Sequence, residues 1–332
     1  MQLYINSYGA KLKVKDGLFQ VSFWNKEQQL IRQEFAPVQI KSIFLQKGTL
    51  VTTQAIQTAL EADIDILFFD KTGKATARIV ATKPQNTSKV LKGQLIASQT
   101  VAGVNYVKEW LSIKIKNQKK LLEETAVRRV IPQQKTIGKA NHKLSKQQQK
   151  LAKLEANSIM DIAAKIRPIE GLAGRVYFGA LSKLLPKEYQ FSKRSRNPAQ
   201  DLFNAFLNYG YGVLYTQVES ALIRAGISPY IGFLHRDGHQ FKSMVYDFIE
   251  PYRFWVDQLV FRLFVKKKVS AKHCSKRGEG YWLNQQGKIL LMNALYGVLN
   301  NTKQARHGAI SIESRGLDKD ALTFAQELKK LC

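Results

Sequence analysis

The sequence has few acidic residues, and that scarcity sets its charge. Only 25 Asp and Glu stand against 52 Lys and Arg in 332 residues, so the formal net charge is +27. A charge of this size repels itself in a compact protein and is typical of proteins that bind a polyanion. The composition therefore indicates a partner such as nucleic acid or an anionic membrane surface.

Cysteines are scarce as well, and long apolar runs are missing. Cys274 and Cys332 are too few and too far apart for a disulfide framework, which favours a reducing cytosol. The opening stretch "MQLYINSYGAKLKVKDG" lacks the apolar core of a signal peptide. No run reaches the ~18 apolar residues that a membrane span needs. These absences predict a cytoplasmic protein without a membrane segment, and nucleic acid becomes the better polyanion.

The pattern of apolar residues changes once along the chain. Residues 1–80 read as short strands around an Asp-Gly turn, with one helix capped by Thr52 or Thr53. A polar stretch at 81–90 predicts a linker, and long helical periodicity follows over 91–332. The sequence thus predicts an α+β protein with a small β domain and a larger all-α domain. The first 80 residues carry ten basic and seven acidic side chains, net +3, so the remaining net +24 places the polyanion on the helical domain.

Two prolines predict where helices of that domain begin. Pro168 suits a first helical turn, which would put Glu170 near the positive end of its helix. A second long helix is expected to open after Asn197-Pro198 and to close at Gly226.

Glycines beside Glu170 carry a further expectation. Gly171 and Gly174 are poor helix formers, each costing ~1 kcal/mol relative to alanine. A helix with two of them three residues apart predicts close backbone approach by another element.

One histidine and two carboxylates lie close together in "PYIGFLHRDGHQFKSMVYDFIEPYR". His235 precedes Asp247 by twelve residues, and Glu250 follows Asp247 on the same face of a helix. Neighbouring carboxylates repel unless a cation, a proton or basic groups lie between them. Two interpretations stay open: metal ligands, or a core histidine with two solvated carboxylates paired to Arg253 or Lys242.

Glu170 in "IRPIEGLAGRVYFGAL" adds a third carboxylate from a separate helix. One imidazole and two or three carboxylates form a mixed nitrogen and oxygen set that suits Mg²⁺ or Mn²⁺. Arg175 lies five residues on, at the edge of the same face. The alternative for this stretch is a tight helix crossing with a capping glutamate.

Basic and aromatic residues surround these candidates in the sequence. Lysine and arginine can contact phosphates, and tyrosines either stack on bases or pack in the core. The chain has no GxxxxGK loop, GxSxG elbow or HExxH motif that would indicate another chemistry. The candidate DNA contacts are Arg175, Arg196, Arg224, Lys242 and Arg253.

Three blocks in order resemble a known family. "IEGLAGRVYF", "RNPAQDLFNAFLNYGYGVLYTQVESALIRAGISPYIGFLH" and "YDFIEPYR" are similar to the core of the CRISPR-associated adaptation integrases, the nucleases of spacer acquisition. The resemblance implies a homodimer formed through the β domain, a small ferredoxin-like partner protein, and double-stranded DNA as substrate. That DNA comprises an incoming short duplex and a repeat array, joined by 3′-hydroxyl attack on a phosphodiester.

The same resemblance assigns roles to the candidates. It implies Glu170, His235 and Glu250 as catalytic ligands of Mg²⁺ or Mn²⁺, Asp247 as an auxiliary acid, and Arg175 as a group orienting Glu170 or contacting the phosphate. Two alternatives remain: the integrase of a mobile element with the same ligand set, and a non-catalytic basic nucleic-acid-binding protein.

Overall fold

The structure is a computed structural model that describes residues 2–25, 27–40, 42–70, 75–79, 87–126, 131–235, 241–300 and 314–332. It divides into two compact units, 1–85 and 86–332. The first is built mainly from strands and the second mainly from helices, so the predicted α+β class is confirmed.

The first unit contains two four-stranded sheets and one helix. Its elements are β1 (Gln2–Ile5), β2 (Lys11–Lys15), β3 (Leu18–Trp24), β4 (Leu30–Phe35), β5 (Ser42–Gln46), β6 (Leu50–Val51), α1 (Thr53–Glu61), β7 (Asp65–Phe69) and β8 (Ala75–Ile79). One sheet has the order β1-β5-β7-β8, with β8 antiparallel and the others parallel. The other has the order β4-β3-β2-β6.

Local sequence signals account for these elements. Asp16 and Gly17 both have positive φ, 51° and 75°, and form the turn between β2 and β3. Thr52 caps α1, because its hydroxyl accepts a hydrogen bond from the backbone N–H of Ala55 at 3.3 Å. Both predictions are confirmed. Apolar side chains from strands and helix then fill one core, among them Leu12, Phe19, Ile43, Ala55 and Ile66.

The second unit contains nine helices and one β-hairpin among its described residues. They are α2 (Thr87–Gln99), α3 (Val101–Ala126), α4 (Ile131–Ala152), α5 (Ile159–Lys183), α6 (Leu202–Arg224), α7 (Ser243–Phe248), α8 (Arg253–Val265), β9 (Cys274–Arg277), β10 (Gly280–Leu283), α9 (Gln285–Asn300) and α10 (Ser314–Lys329). The first strand of the hairpin ends the basic stretch "KKKVSAKHCSKR" and the second follows it, so the predicted all-α domain is helical with one short hairpin.

The predicted linker 81–90 is partly helical. Residues 81–86 lie outside the described residues, and α2 begins at Thr87. Val90, Gln94 and Ala97 in α2 are buried at helical spacing, which explains why the helix extends into the polar stretch.

The prediction that Pro168 opens a helix is wrong. A capping box between Ser158 and Asp161 starts α5 earlier, with the Asp161 carboxylate accepting the Ser158 backbone N–H at 3.0 Å. Pro168 therefore lies inside α5, and Glu170 lies in the middle of the helix rather than at its positive end. The capping signal takes precedence over the proline because it satisfies donors that proline cannot.

The start expected for α6 is also wrong. Asp201 caps this helix by accepting the backbone N–H of Asn204 at 2.7 Å, three residues beyond Pro198. The expected end is confirmed, because Gly226 follows α6 with a φ of 79°.

The helices of the second unit pack in a way that collects the candidate residues. α3 packs against α4, α5 and α8, and the 3₁₀ turn Glu250–Tyr252 packs against α3. α6 carries apolar residues all around and is largely buried against α7, α8 and α10. No described helix combines the length and apolarity needed to cross a membrane.

Candidate active site

Two carboxylates from different elements meet at one ammonium group. Nζ of Lys114 on α3 lies 2.7 Å from Oε1 of Glu170 on α5 and 2.7 Å from Oε2 of Glu250 in the 3₁₀ turn. The side chains of Lys114 and Glu250 are only 12% and 4% exposed, whereas Glu170 is 25% exposed. The cluster of Lys114, Glu170 and Glu250 is therefore buried on the Glu250 side and open to solvent on the Glu170 side.

Glu250 is held by a second cation. Nε of Arg253 donates to its Oε1 at 2.8 Å. Burial alone would raise the pKa of the Glu250 carboxyl, but the charges and hydrogen bonds of Arg253 and Lys114 outweigh it and lower that pKa to about 2. Glu250 is thus a permanent carboxylate at neutral pH. The alternative of a solvated acid is therefore excluded for Glu250, although its predicted pairing with Arg253 is present.

His235 is oriented by the other predicted acid, Asp247. The two groups are joined through Nδ1 and Oδ1 at 2.5 Å. Asp247 also accepts the backbone N–H groups of Phe233 and Leu234, at 2.6 and 3.0 Å. A Cβ at Gly232 would lie 2.5 Å from Ser243 and 3.0 Å from Asp247, so this approach requires glycine. Asp247 therefore fixes both the loop and the imidazole ring.

The imidazole lies in the electrostatic field of all three acids. Burial would lower the pKa of His235, but the hydrogen bond and charge of Asp247, together with the charges of Glu250 and Glu170, outweigh burial and raise it. When the neutral ring donates its Nδ1–H to Asp247, the lone pair of Nε2 points away from Asp247.

We tested whether these residues fit a divalent cation. Across the described part of the chain, no three His, Cys, Asp or Glu side chains already converge as a metal site. Nevertheless, the Lys114 ammonium occupies the point between Glu170 and Glu250 where a cation would bind. Oε2 of Glu250 is buried and lies 2.7 Å from the Lys114 ammonium. Two carboxylates and an oriented imidazole fit Mg²⁺ or Mn²⁺ in donor type.

The predicted contact of Arg175 with Glu170 is absent among the described residues. Arg175 is exposed, and its Nη1 would lie 3.8 Å from a Cβ at Gly171. The close backbone approach expected at Gly171 and Gly174 is wrong too, since a Cβ at Gly174 meets no atom within 4 Å. Lys114, rather than Arg175, is the cation bound to Glu170.

The other basic residues expected to contact DNA differ in whether an acid of the protein already pairs with them. Arg196 is exposed. Lys242 binds Glu219, with Nζ to Oε1 at 2.7 Å, and Arg224 binds Asp318 on α10. These acids already neutralise Lys242 and Arg224 in the protein alone.

Arg253 is buried between aromatic rings rather than exposed for DNA. Its guanidinium carbon lies 5.1 Å from the ring centre of Tyr211 and 5.4 Å from that of Tyr215. Nη2 of Arg253 also donates to the Tyr215 hydroxyl at 2.8 Å. This side chain is placed to hold Glu250, not to reach a phosphate across the surface.

Sequence reasoning missed Lys114 and Asp257. Asp257 on α8 is fully buried and accepts hydrogen bonds from the hydroxyls of Tyr177, at 3.0 Å, and Tyr211. In each case the sequence places a charged residue within an apolar pattern, which could have singled it out. Lys114 lies between Leu111 and Ile115, which are buried, and Asp257 interrupts the apolar run "RFWVDQLVF".

The same contacts settle the question left open for two tyrosines. Tyr177 and Tyr211 are buried core residues whose hydroxyls bind Asp257. Since Tyr211 also lies under Arg253, the buried carboxyl is linked through this ring to the cation that holds Glu250.

Replacing Asp257 with asparagine should change how stability depends on pH. Burial raises the pKa of Asp257 from 3.8 to about 6, although its tyrosine hydrogen bonds and Arg194 and Arg253 oppose the shift. Between those pH values the folded protein binds more protons than the unfolded chain, so this group stabilises at low pH and that stability is lost as pH rises through 6. The shift corresponds to about 3 kcal/mol. The unfolding free energy of Asp257→Asn, relative to wild type, should rise by about that amount between pH 4 and 7.

Urea unfolding at several pH values measures this difference. The comparison of two proteins at each pH cancels the contributions of all other titrating groups. Parallel stability curves for the two proteins would show that Asp257 has an ordinary pKa in the folded state.

The chain is similar to known proteins over most of its length. Residues 3–296 match the family model described as CRISPR associated protein Cas1. A curated relative, CRISPR-associated endonuclease Cas1 1 of Archaeoglobus fulgidus, is 29% identical over 317 residues, which cover 92% of this chain and 90% of the relative.

Solved structures share the fold at lower identity. A casposase bound to an integration product has a TM-score of 0.80 at 23% identity, covering 99% of this chain and 90% of that one. A Cas1 protein from Thermotoga maritima has a TM-score of 0.76 at 20% identity, covering 98% and 96%. A chain of a Cas6-RT-Cas1–Cas2 complex has a TM-score of 0.74 at 20% identity, covering 99% of this chain and 35% of that longer one.

Proposed function

The chain belongs to the CRISPR-associated Cas1 family, and we propose that it is a divalent-metal-dependent DNA endonuclease and integrase that inserts short duplexes into a CRISPR repeat array. The observation that carries the proposal is the meeting of Glu170 and Glu250 at one cation, beside an imidazole oriented by Asp247. The family resemblance of the three sequence blocks supports the same residues.

In the proposed reaction a 3′-hydroxyl of the incoming duplex attacks a phosphodiester of the repeat. The new P–O bond joins the incoming strand to the repeat, and the bond to the repeat's own 3′-oxygen breaks. The attacking hydroxyl loses its proton to solvent, and the leaving 3′-oxygen takes up a proton from solvent to become a hydroxyl. With water as the attacking group, the same exchange is endonuclease cleavage. Each step needs positive charge near the phosphate and a group that keeps the attacking oxygen in line.

The chain's own residues are suited to these tasks. Glu170, Glu250 and Nε2 of His235 would hold a Mg²⁺ or Mn²⁺ ion, which when bound supplies Lewis acidity at the attacked phosphate. Asp247 keeps the His235 proton on Nδ1 and so leaves Nε2 available as a donor atom. Arg253 keeps the Glu250 carboxylate ionised and in place, as its lowered pKa reflects.

Partners follow from the same assignment. We propose that the protein acts as a homodimer through its first unit, with a small ferredoxin-like partner, on double-stranded DNA. A solved neighbour belongs to a Cas1–Cas2 complex, which supports a protein partner for this family fold. Arg175 and Arg196, both exposed, are the candidates that retain freedom to contact DNA phosphates.

A strand-transfer assay tests the function directly. A short duplex with 3′-hydroxyl ends and a supercoiled repeat-bearing plasmid should give joined products with Mg²⁺ or Mn²⁺ and none with EDTA. The assay should be run with and without a small ferredoxin-like partner protein. Joining that persists in EDTA would refute metal dependence, and DNA binding without joining or cleavage under every metal condition would favour a non-catalytic DNA-binding protein.

A further inference from the structure

An unusual helix lies beside the two that carry the site. α4, residues Ile131–Ala152, has five lysines and no aspartate or glutamate. Surface helices of ordinary proteins mix the two signs of charge, because neighbouring like charges repel. A helix whose charged residues are all positive is therefore expected to bind a partner of negative charge.

The lysines share one exposed face of α4. The opposite face is buried through apolar side chains and one glutamine, at positions that recur every three or four residues: Ile137, Ala140, Leu144, Gln147 and Leu151. The lysines fall between them and are all exposed; they are Lys135, Lys139, Lys143, Lys146 and Lys150, called here the α4 lysine row. Their spacings of four, four, three and four residues keep them aligned along the helix.

In the parts of the chain that the structure describes, none of the five lysines of the α4 lysine row makes an ion pair. Glu123 of α3 contacts α4 through an uncharged group instead, because its Oε1 accepts from the amide of Asn141 at 2.8 Å. By contrast, Lys242 and Arg224, two of the basic residues expected to bind DNA, are already paired with acids.

Length and spacing favour a rigid polyanion. At 1.5 Å per residue, the row spans about 22 Å from Lys135 to Lys150, with a cation every ~6 Å. A DNA duplex offers one phosphate per ~3.4 Å on each strand, so it presents about six on each strand over that length. The flexible lysine stems allow each ammonium to reach a phosphate without exact register.

The position of the row connects it to the site. α4 packs on α3, which carries Lys114, and on α5, which carries Glu170. A helix is about 10 Å across, so a duplex along the row would lie about one or two helix diameters from the carboxylates.

We propose that the α4 lysine row is a binding site for the phosphate backbone of double-stranded DNA, reading no bases and holding the duplex beside the site. The choice of DNA as the polyanion rests on the proposed function. An acidic protein surface is the competing occupant, and the test below treats it as a contrary result.

The test is the salt dependence of duplex binding in three proteins. All carry Glu170→Gln, so that the DNA stays intact, and are measured in EDTA. The first has no further change, and the second adds Lys139→Gln, Lys143→Gln and Lys146→Gln. The third adds the same number of changes on α10 and the residue directly after it: Lys319→Gln, Lys329→Gln and Lys330→Gln. Glutamine has nearly the helix propensity of lysine, so folding is preserved, and circular dichroism confirms it.

Three lost phosphate contacts should lower the slope of log K against log salt by about 2.7 units in the α4 variant. Between about 50 and 200 mM salt, its affinity should then decline about fortyfold less than that of the parent. The α10 variant removes the same charge from a helix that also carries acids, and it should keep most of the parent slope.

Equal slopes for the α4 and α10 variants would overturn the proposal, because only net charge would then matter. An unchanged slope in the α4 variant would do so as well, and would leave an acidic protein as the occupant to pursue. Strand transfer by the wild-type chain is assayed separately. If the α4 variant shows the expected loss of slope but the wild-type chain performs no strand transfer, the proposed function alone is wrong. If the wild-type chain performs strand transfer but the α4 variant keeps the parent slope, this inference alone is wrong.

Discussion

Glu250→Gln is expected to lower strand transfer more than about 100-fold, and Glu170→Gln should do the same. Glutamine keeps the shape of each side chain but removes the negative charge that balances Lys114 and would bind the metal ion. Loss of groups that merely orient metal ligands costs 10- to 100-fold, and loss of a ligand should cost more. Joined product is quantified on denaturing gels at saturating duplex.

Duplex binding distinguishes a lost site from a lost fold. Both variants should bind the incoming duplex about as tightly as wild type, since they remove negative charge from a DNA-binding surface. Glu188→Gln is the matched control, because Glu188 is half exposed and pairs with Lys267, outside the candidate site. It should join DNA normally. Near-normal joining by Glu170→Gln or Glu250→Gln would remove that residue from the active site.

The two-unit α+β organisation was accessible from sequence because it rests on periodicity. Strand alternation around Asp16-Gly17 and the helix cap at Thr52 are local signals, and each is confirmed. Helix starts at Pro168 and Pro198 were misplaced because proline tolerates a helix start without specifying one. The side-chain caps at Ser158 and Asp201 specify it, by satisfying free backbone donors.

The site was partly accessible for a different reason. Glu170, His235 and Glu250 could be singled out because acids and histidine beside apolar runs need an explanation. Lys114 could not be assigned as the shared partner of Glu170 and Glu250, because it lies 56 residues before Glu170 and only the packing of α3 on α5 brings the two together. The three-residue spacing of Asp247 and Glu250 does not distinguish the acid that binds His235 from the acid that binds cations; the family resemblance did, by assigning Glu250 as a ligand and Asp247 as an auxiliary acid.

Lys114→Met should destabilise the metal-free protein by about 3 kcal/mol. Removing one partner of a buried ion pair typically costs 3–5 kcal/mol, because a charge is left without compensation. The lower end applies here, since Glu250 keeps Arg253 and Glu170 is partly solvated. For a unit of this size the loss corresponds to a melting temperature lower by about 6–12 °C. Thermal unfolding in EDTA measures it.

Two further variants make the cause of that loss specific. Lys116→Met removes the same charge from an exposed position two residues along α3 and should change the melting temperature little. Glu170→Gln added to Lys114→Met should recover part of the loss, because one of the two facing carboxylates disappears. Mn²⁺ should raise the melting temperature of Lys114→Met more than that of wild type, since no ammonium then competes for Glu170 and Glu250. Equal melting temperatures for Lys114→Met and Lys116→Met would show that the ammonium between the two carboxylates contributes nothing to stability.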